Sequence, residues 1–112
     1  MVVQQPRLPF RFGTRLRQAR ERKGLAQDKL GVLIGLDEGC SSARISRYET
    51  GVHQPPFETA RNLARVLNVP VAFFYCEDDW LAQAILYLDR LNTEQKSQFD
   101  DWRSNQTTNA AD

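Results

Sequence analysis

Apolar positions recur at helical spacing along most of the chain. Phe12, Leu16 and Ala19 fall at i, i+4 and i+7 with charged residues between them. This predicts an amphipathic helix over roughly Thr14–Lys23, stopped by Gly24. A second helix starts near Ala26, carries Leu30, Leu33 and Ile34, and ends at Gly35. Leu36–Cys40 is a connector rich in turn formers. Ser41 or Ser42 can cap a third helix that runs to about Tyr48, with Ile45 and Tyr48 turned inward and Gly51 closing it in a left-handed conformation. Phe57, Ala60, Leu63, Ala64 and Leu67 mark a fourth helix, with Pro56 in its first turn and Asn68 and Pro70 ending it. Val71–Tyr75 has strand propensity, but its neighbours are all helical, so a short fifth helix is expected. Leu81, Ala84, Leu88 and Leu91 then follow at heptad spacing, and Ile85 widens that stripe. Asn92 or Thr93 begins a last helix with Gln95, Phe99 and Trp102 on one side. The chain shows no internal repeat and no convincing strand, so the fold class is all-α.

At 112 residues the chain is one small domain with an appendage. Residues 1–11 are polar, carry two prolines and read as a flexible arm. Residues 12–75 form the compact helical domain, 76–103 a helical extension, and 104–112 a disordered tail. Hydrophobic content of 41% and charged content of 26% suit a soluble globular protein. No apolar run approaches the roughly 20 residues of a membrane span. The start of the chain has no signal-peptide core, so a cytoplasmic location is expected. Cys40, Cys76 and His53 lack the spacing of metal ligands, and no phosphate loop, triad or zinc motif is present. Neither a metal, a cofactor nor an enzymatic activity is therefore expected.

Charge changes the picture. Residues 1–70 hold 12 Lys+Arg against 6 Asp+Glu, whereas residues 71–112 hold 3 against 8; the two balances make up the net charge of +1. A basic front half points to a polyanion on one face. The stretch Ser41–Gly51, Ser-Ser-Ala-Arg-Ile-Ser-Arg-Tyr-Glu-Thr-Gly, concentrates that signal. It offers hydroxyls, a small side chain, and Arg44 and Arg47 one helical turn apart on one face.

Two helices, a turn and an arginine-bearing third helix form a helix-turn-helix plan. Arg20, Gly24-Leu25-Ala26-Gln27-Asp28-Lys29-Leu30, Ile34-Gly35, Ile45-Ser46-Arg47-Tyr48-Glu49-Thr50-Gly51, Pro55, Ala64, Leu67, Val69 and Pro70 occur in order. Over about Phe12–Phe74 this pattern resembles the Cro/repressor-type, or XRE, family of transcriptional regulators. The resemblance implies a five-helix lambda-repressor-like DNA-binding domain, here followed by one or two further helices. By the same resemblance Ser42, Ala43 and Arg47 face base edges in the major groove. Arginine bidentate to guanine is the commonest specific contact, which puts Arg47 first. Gln27, Ser41, Ser46, Thr50 and His53 match positions near the DNA backbone; Arg44, assigned with them, lies between the two groups and can serve either role. Gln27 stands at a helix start, where free N–H groups can grip a phosphate. Gly31 occupies a position kept small for a close helix crossing. Arg20 and Glu49 match a structural ion pair that ties the first helix to the third.

One departure stands out. The connector at Asp37–Cys40 brings about four residues more than the family's usual turn, close to one helical turn. Either a longer second helix or a bulged turn would absorb them. The resemblance implies double-stranded DNA as partner and a homodimer acting as a repressor; the heptad-spaced stripe of Leu81, Ala84, Leu88 and Leu91, widened by Ile85, is a natural dimer face. Two other readings stay open: the same stripe can complete the protein's own core, and the acidic end can hold a small protein partner, as in an antitoxin.

Overall fold

The computed structural model describes the backbone of residues 12–110 and the side chains of residues 12–106; the expected arm at 1–11 lies outside these residues. Among them are seven helices and no strand: α1 Phe12–Lys23, α2 Gln27–Leu33, α3 Glu38–Thr50, α4 Phe57–Leu67, α5 Val71–Phe74, α6 Asp79–Asp89 and α7 Thr93–Ala110. The all-α class read from the sequence is the class observed. The tail expected to be disordered from Ser104 is instead helical as far as Ala110.

The core is assembled from the periodic positions. Phe12, Leu16 and Ala19 of α1, Leu30 of α2, Ile45 and Tyr48 of α3, Ala60, Leu63, Ala64 and Leu67 of α4, and Phe73 and Phe74 of α5 are all buried together. Burial of that area is the main drive to fold. The Phe12 ring lies 5.0 Å from Phe74 and 5.4 Å from Tyr75, centroid to centroid, so the single turn of α5 closes over the start of α1. Helix α2 has only 7 residues, too short to persist alone. It persists because α3 packs along it more extensively than any other pair of helices.

Two glycines make the closest approaches. A Cβ at Gly31 would overlap the Ser41 side chain, and a Cβ at Gly13 would overlap the Glu49 carbonyl. The first lets α2 and α3 cross closely; the second lets α1 press on the end of α3.

The extra residues of the connector lengthen neither α2 nor the turn. They add one turn, about 5.4 Å, to the start of α3, which begins at Glu38 rather than after Ser41 or Ser42. Asp37 is the N-cap residue, and its carbonyl accepts from the Cys40 N–H at 3.1 Å. Ser41 therefore sits inside the helix and caps nothing.

A buried arginine ties the five-helix body to the two helices beyond it. Arg15 of α1 is 1% exposed. Its Nε donates to the Cys76 carbonyl at 2.8 Å, and its Nη2 to the Glu77 carbonyl at 3.2 Å and the Asp79 carboxylate at 2.9 Å. Its guanidinium also lies over the Phe73 ring, 5.7 Å from the centroid. Helix α6 starts beside this clamp, where the Asp78 carboxylate accepts from the Leu81 N–H at 2.7 Å. Its buried edge is Ala82 and Leu86. Before α7, Asn92 and Gln95 cap each other reciprocally, side chain to backbone N–H, at 2.9 and 2.8 Å. Every described side chain of α7 is exposed.

Candidate functional site

The site is the outer edge of α3 together with the start of α2. Ser42, Ala43, Arg44 and Arg47 are exposed along α3, Ser46 is half-buried, and Thr50 and His53 are exposed at its far end. The inward edge is Ser41, Ile45 and Tyr48. This division follows from spacing: residues three and four apart share a face.

Three attachments hold α3. At its first half, the Ser41 hydroxyl donates to the Asp28 carbonyl at 2.6 Å. At its last turn, Glu49 receives Arg20 on both oxygens, Nε to Oε2 at 2.6 Å and Nη2 to Oε1 at 3.1 Å. Arg20 also donates to the Leu25 carbonyl at 2.9 Å. Between them, the Gln27 amide donates to Glu49 at 3.0 Å and its oxygen accepts from the Ser42 hydroxyl at 3.3 Å. One chain of polar contacts thus runs Arg20–Glu49–Gln27–Ser42 across α1, α2 and α3. The Arg20 and Glu49 side chains are only 12% and 4% exposed. The hydrogen bond to Glu49 outweighs burial and raises the Arg20 pKa above the ordinary arginine value. The guanidinium therefore stays charged wherever the fold survives.

The geometry redistributes the roles read from the sequence. Ser41 has no exposed surface and its hydroxyl is committed to Asp28. It is a packing residue between two helices, not a group that can reach a phosphate. Thr50 turns its hydroxyl back to the Ser46 and Arg47 carbonyls at 3.0 and 3.4 Å. The His53 N–H donates to the Arg47 carbonyl at 3.1 Å, which folds the loop against the end of α3. Gln27 is half-buried and engaged at both ends of its amide. The N–H groups of Gln27 and Asp28 precede the first hydrogen bond of α2, Leu30 to Ala26, so the helix start presents donors.

The added turn also brings residues to which the sequence alone assigned no role. Glu38, Gly39 and Cys40 are exposed, and Gly39 and Cys40 continue the lines of Ala43 and Arg44 at one turn's spacing. Nothing lies within 4 Å of a Cβ built at Gly39. Lys29 is a further exposed cation, on α2. It could have been found from the charge pattern, because Lys29 precedes the buried Leu30 and so falls off the apolar stripe.

Chemically the edge offers hydroxyls, a methyl group and cations without carboxylate partners, carried on one helix that stands proud of a rigid support. That arrangement suits an extended polyanion with a groove. The comparisons with known proteins agree with this geometry. A family model described as a helix-turn-helix domain matches residues 11–72. The chain belongs to the helix-turn-helix family. Two relatives, each called an uncharacterized HTH-type transcriptional regulator, come from Sinorhizobium medicae strain WSM419 and Rhizobium meliloti strain 1021. Each is 35% identical over 68 residues, 61% of this chain and 46% of the relative. The chain thus spans about half the length of the curated relatives it matches. A solved structure, the crystal structure of transcriptional regulator BswR, superposes with a TM-score of 0.80 at 43% identity, covering 83% of this chain and 92% of that one. Residues 11–72 alone cannot supply that share, so the likeness extends into the helices that follow the helix-turn-helix.

Proposed function

We propose that this helix-turn-helix chain is a sequence-specific DNA-binding transcriptional regulator of the Cro/repressor type that inserts α3 into the major groove as a homodimer. The observation that carries the reading is the two-sidedness of α3. Its inner edge is pinned by Ser41, Ile45, Tyr48 and Glu49, while Ser42, Ala43, Arg44 and Arg47 are exposed on the outer edge. Ser42, Ala43 and Arg47 read base edges in this proposal. Arg44, Ser46, Thr50, His53, Lys29 and the N–H groups at the start of α2 meet the phosphates. Occupation of the operator groove by such a dimer excludes other proteins from it, which is the physical basis of repression.

The dimer surface proposed is the outer side of α6 with α7. Trp80, Leu81, Tyr87, Leu88, Phe99 and Trp102 are all exposed there, from 37% for Phe99 to 78% for Trp80. A cleft of about 300 Å³ opens between the two helices, lined by Tyr87, Leu88, Leu91 and Phe99. Apolar exposure of this extent marks an interaction surface. Ala84, Ile85 and Leu91 are half-buried, with Ile85 packed against the core; Leu81 and Leu88 carry the outward part of the stripe. Dimeric helix-turn-helix proteins bind half-sites about one helical turn, 34–36 Å, apart.

The test is selection of bound duplexes from a random pool, followed by titration of the selected site at rising salt. A shared two-half-site sequence should emerge, with affinity falling steeply as salt rises because phosphate contacts release counterions. Arg47→Ala should lose about 1–3 kcal/mol on the selected site and relax the preference at one base pair. Equal losses on selected and random DNA would remove Arg47 from the base-reading set.

A further inference from the structure

A second cationic site lies away from α3. The structure describes a cleft of about 200 Å³ lined by Ala19, Arg22, Lys23, Leu67, Asn68, Val69 and Arg90. It forms where the last turn of α1, the end of α4 and the end of α6 meet. Its floor is apolar: Ala19 and Leu67 are 2% and 3% exposed, and Val69 is half-buried. Its rim is Arg22, Lys23 and Arg90. No carboxylate lines it.

The pairing of the remaining cations makes this rim unusual. Arg15 pairs with Asp79, Arg17 with Glu21, Arg20 with Glu49, Arg61 with Glu58 and Arg103 with Asp100. Arg65 bonds the Asn62 side chain. Glu21, the carboxylate next in sequence to Arg22, is the one already held by Arg17. Among the described residues, the cations left without a partner are Lys29 on α2, Arg44 and Arg47 on α3, Lys96 on α7, and the three around this cleft. Helix ends explain part of the clustering, because cations are favoured at C-termini. Each end supplies only about half a negative charge, less than the full charge of each cation, so the cleft keeps a positive potential.

We infer that this cleft binds a small organic anion, with phosphate or carboxylate oxygens held by Arg22, Lys23 and Arg90 and an apolar part resting on Ala19, Leu67 and Val69. Arginine forks match either oxyanion. The Asn68 side-chain amide, held at the cleft by a left-handed backbone with φ of 58°, supplies neutral hydrogen bonding. The volume suits a ligand smaller than those of ordinary drug-sized pockets, which run from about 300 Å³ upward. Because Arg90 directly follows α6 and Arg22 and Lys23 end α1, an anion bound here fastens the end of α6 to the helix-turn-helix body. The inference does not depend on the proposed role of α3.

The test uses the full chain labelled with nitrogen-15 and titrated with phenyl phosphate, inorganic phosphate and phenol. Phenyl phosphate should shift the amides of Lys23, Asn68, Val69 and Arg90 saturably. It should bind about tenfold more tightly than inorganic phosphate, since each 1.4 kcal/mol is a factor of ten. Phenol alone should leave these amides unmoved. Arg22→Gln and Arg90→Gln should each weaken phenyl phosphate about tenfold, and Arg61→Gln not at all. All these side chains are exposed, and circular dichroism should report unchanged folding. Unsaturable shifts spread over every cation, or undiminished binding in the Arg22→Gln/Arg90→Gln double variant, would overturn the site. Loss of DNA affinity in that double variant without any phenyl phosphate binding in the parent would reassign the cleft to nucleic acid, and would also overturn it.

Discussion

The five-helix body and the α6–α7 extension solve the problem of apolar surface in opposite ways. In the body, the periodic residues of α1 to α5 close on each other, and the buried polar side chains of Arg15, Ser41 and Glu49 have partners. No buried side-chain nitrogen or oxygen among the described residues is left without one. In the extension, only Ala82 and Leu86 of α6 are buried, whereas Trp80, Tyr87 and Trp102 are more than half exposed. An 18-residue helix such as α7, whose described side chains are all exposed, is marginal in water. In the proposed dimer, stability and assembly are kept on separate parts of a short chain. The body is satisfied within one molecule, and in the proposed dimer the extension is completed by a second.

Arg15 is where the two regions meet, so its loss should produce the largest effect. Arg15→Ala empties a buried site and orphans the Cys76 and Glu77 carbonyls, at a cost of about 3–5 kcal/mol. Urea unfolding should show this fall in midpoint; a change under about 1 kcal/mol would mean that water replaces the guanidinium freely. Next comes the pair that belongs to the body alone. Arg20→Ala and Glu49→Ala should each cost about 2–4 kcal/mol, because the partner is left charged and nearly buried. The double variant should lose less than the sum, and strict additivity would show the pair to be uncoupled. The smallest effect on folding should come from the extension. Leu88 is 39% exposed, so Leu88→Lys should change monomer stability by only about 0.5 kcal/mol. The same change should shift sedimentation from dimer to monomer and weaken binding to paired half-sites. A Leu88→Lys protein that remains dimeric would move the interface off α6.

The helices of the body were legible because their signals are local. Glycines at 24, 35 and 51 take positive φ at helix ends, and the stripe of α4 was legible at Ala60, Leu63, Ala64 and Leu67; Phe57, expected in the same stripe, is instead 56% exposed at the helix start. What escaped the sequence was decided by contacts distant along the chain. Arg15 falls at the i+3 position of the Phe12–Leu16–Ala19 stripe, a clue to burial, but its acceptors lie more than sixty residues away. Gly13 is demanded by the carbonyl of Glu49, which no local pattern encodes. The placement of the extra residues turned on Ser41. A serine near a helix start ordinarily reads as a cap, yet here α2 supplies an acceptor in the Asp28 carbonyl and Gly31 clears the space, so the helix runs on past it in the N-terminal direction. In α6 the heptad pattern picked out a stripe exposed at Leu81 and Leu88 but half-buried at Ala84 and Leu91, because a stripe in the sequence marks an apolar surface without saying what covers it.

The chain of contacts from Arg20 through Glu49 and Gln27 to Ser42 has a consequence for the thermodynamics of recognition. A helix already anchored at its beginning by Ser41 and at its end by Glu49 loses little conformational entropy when it docks. Its association then resembles the meeting of two finished surfaces. In the proposed complex with DNA, the heat-capacity change should follow the area covered at the groove and stay well short of the value seen when a disordered segment folds on its target.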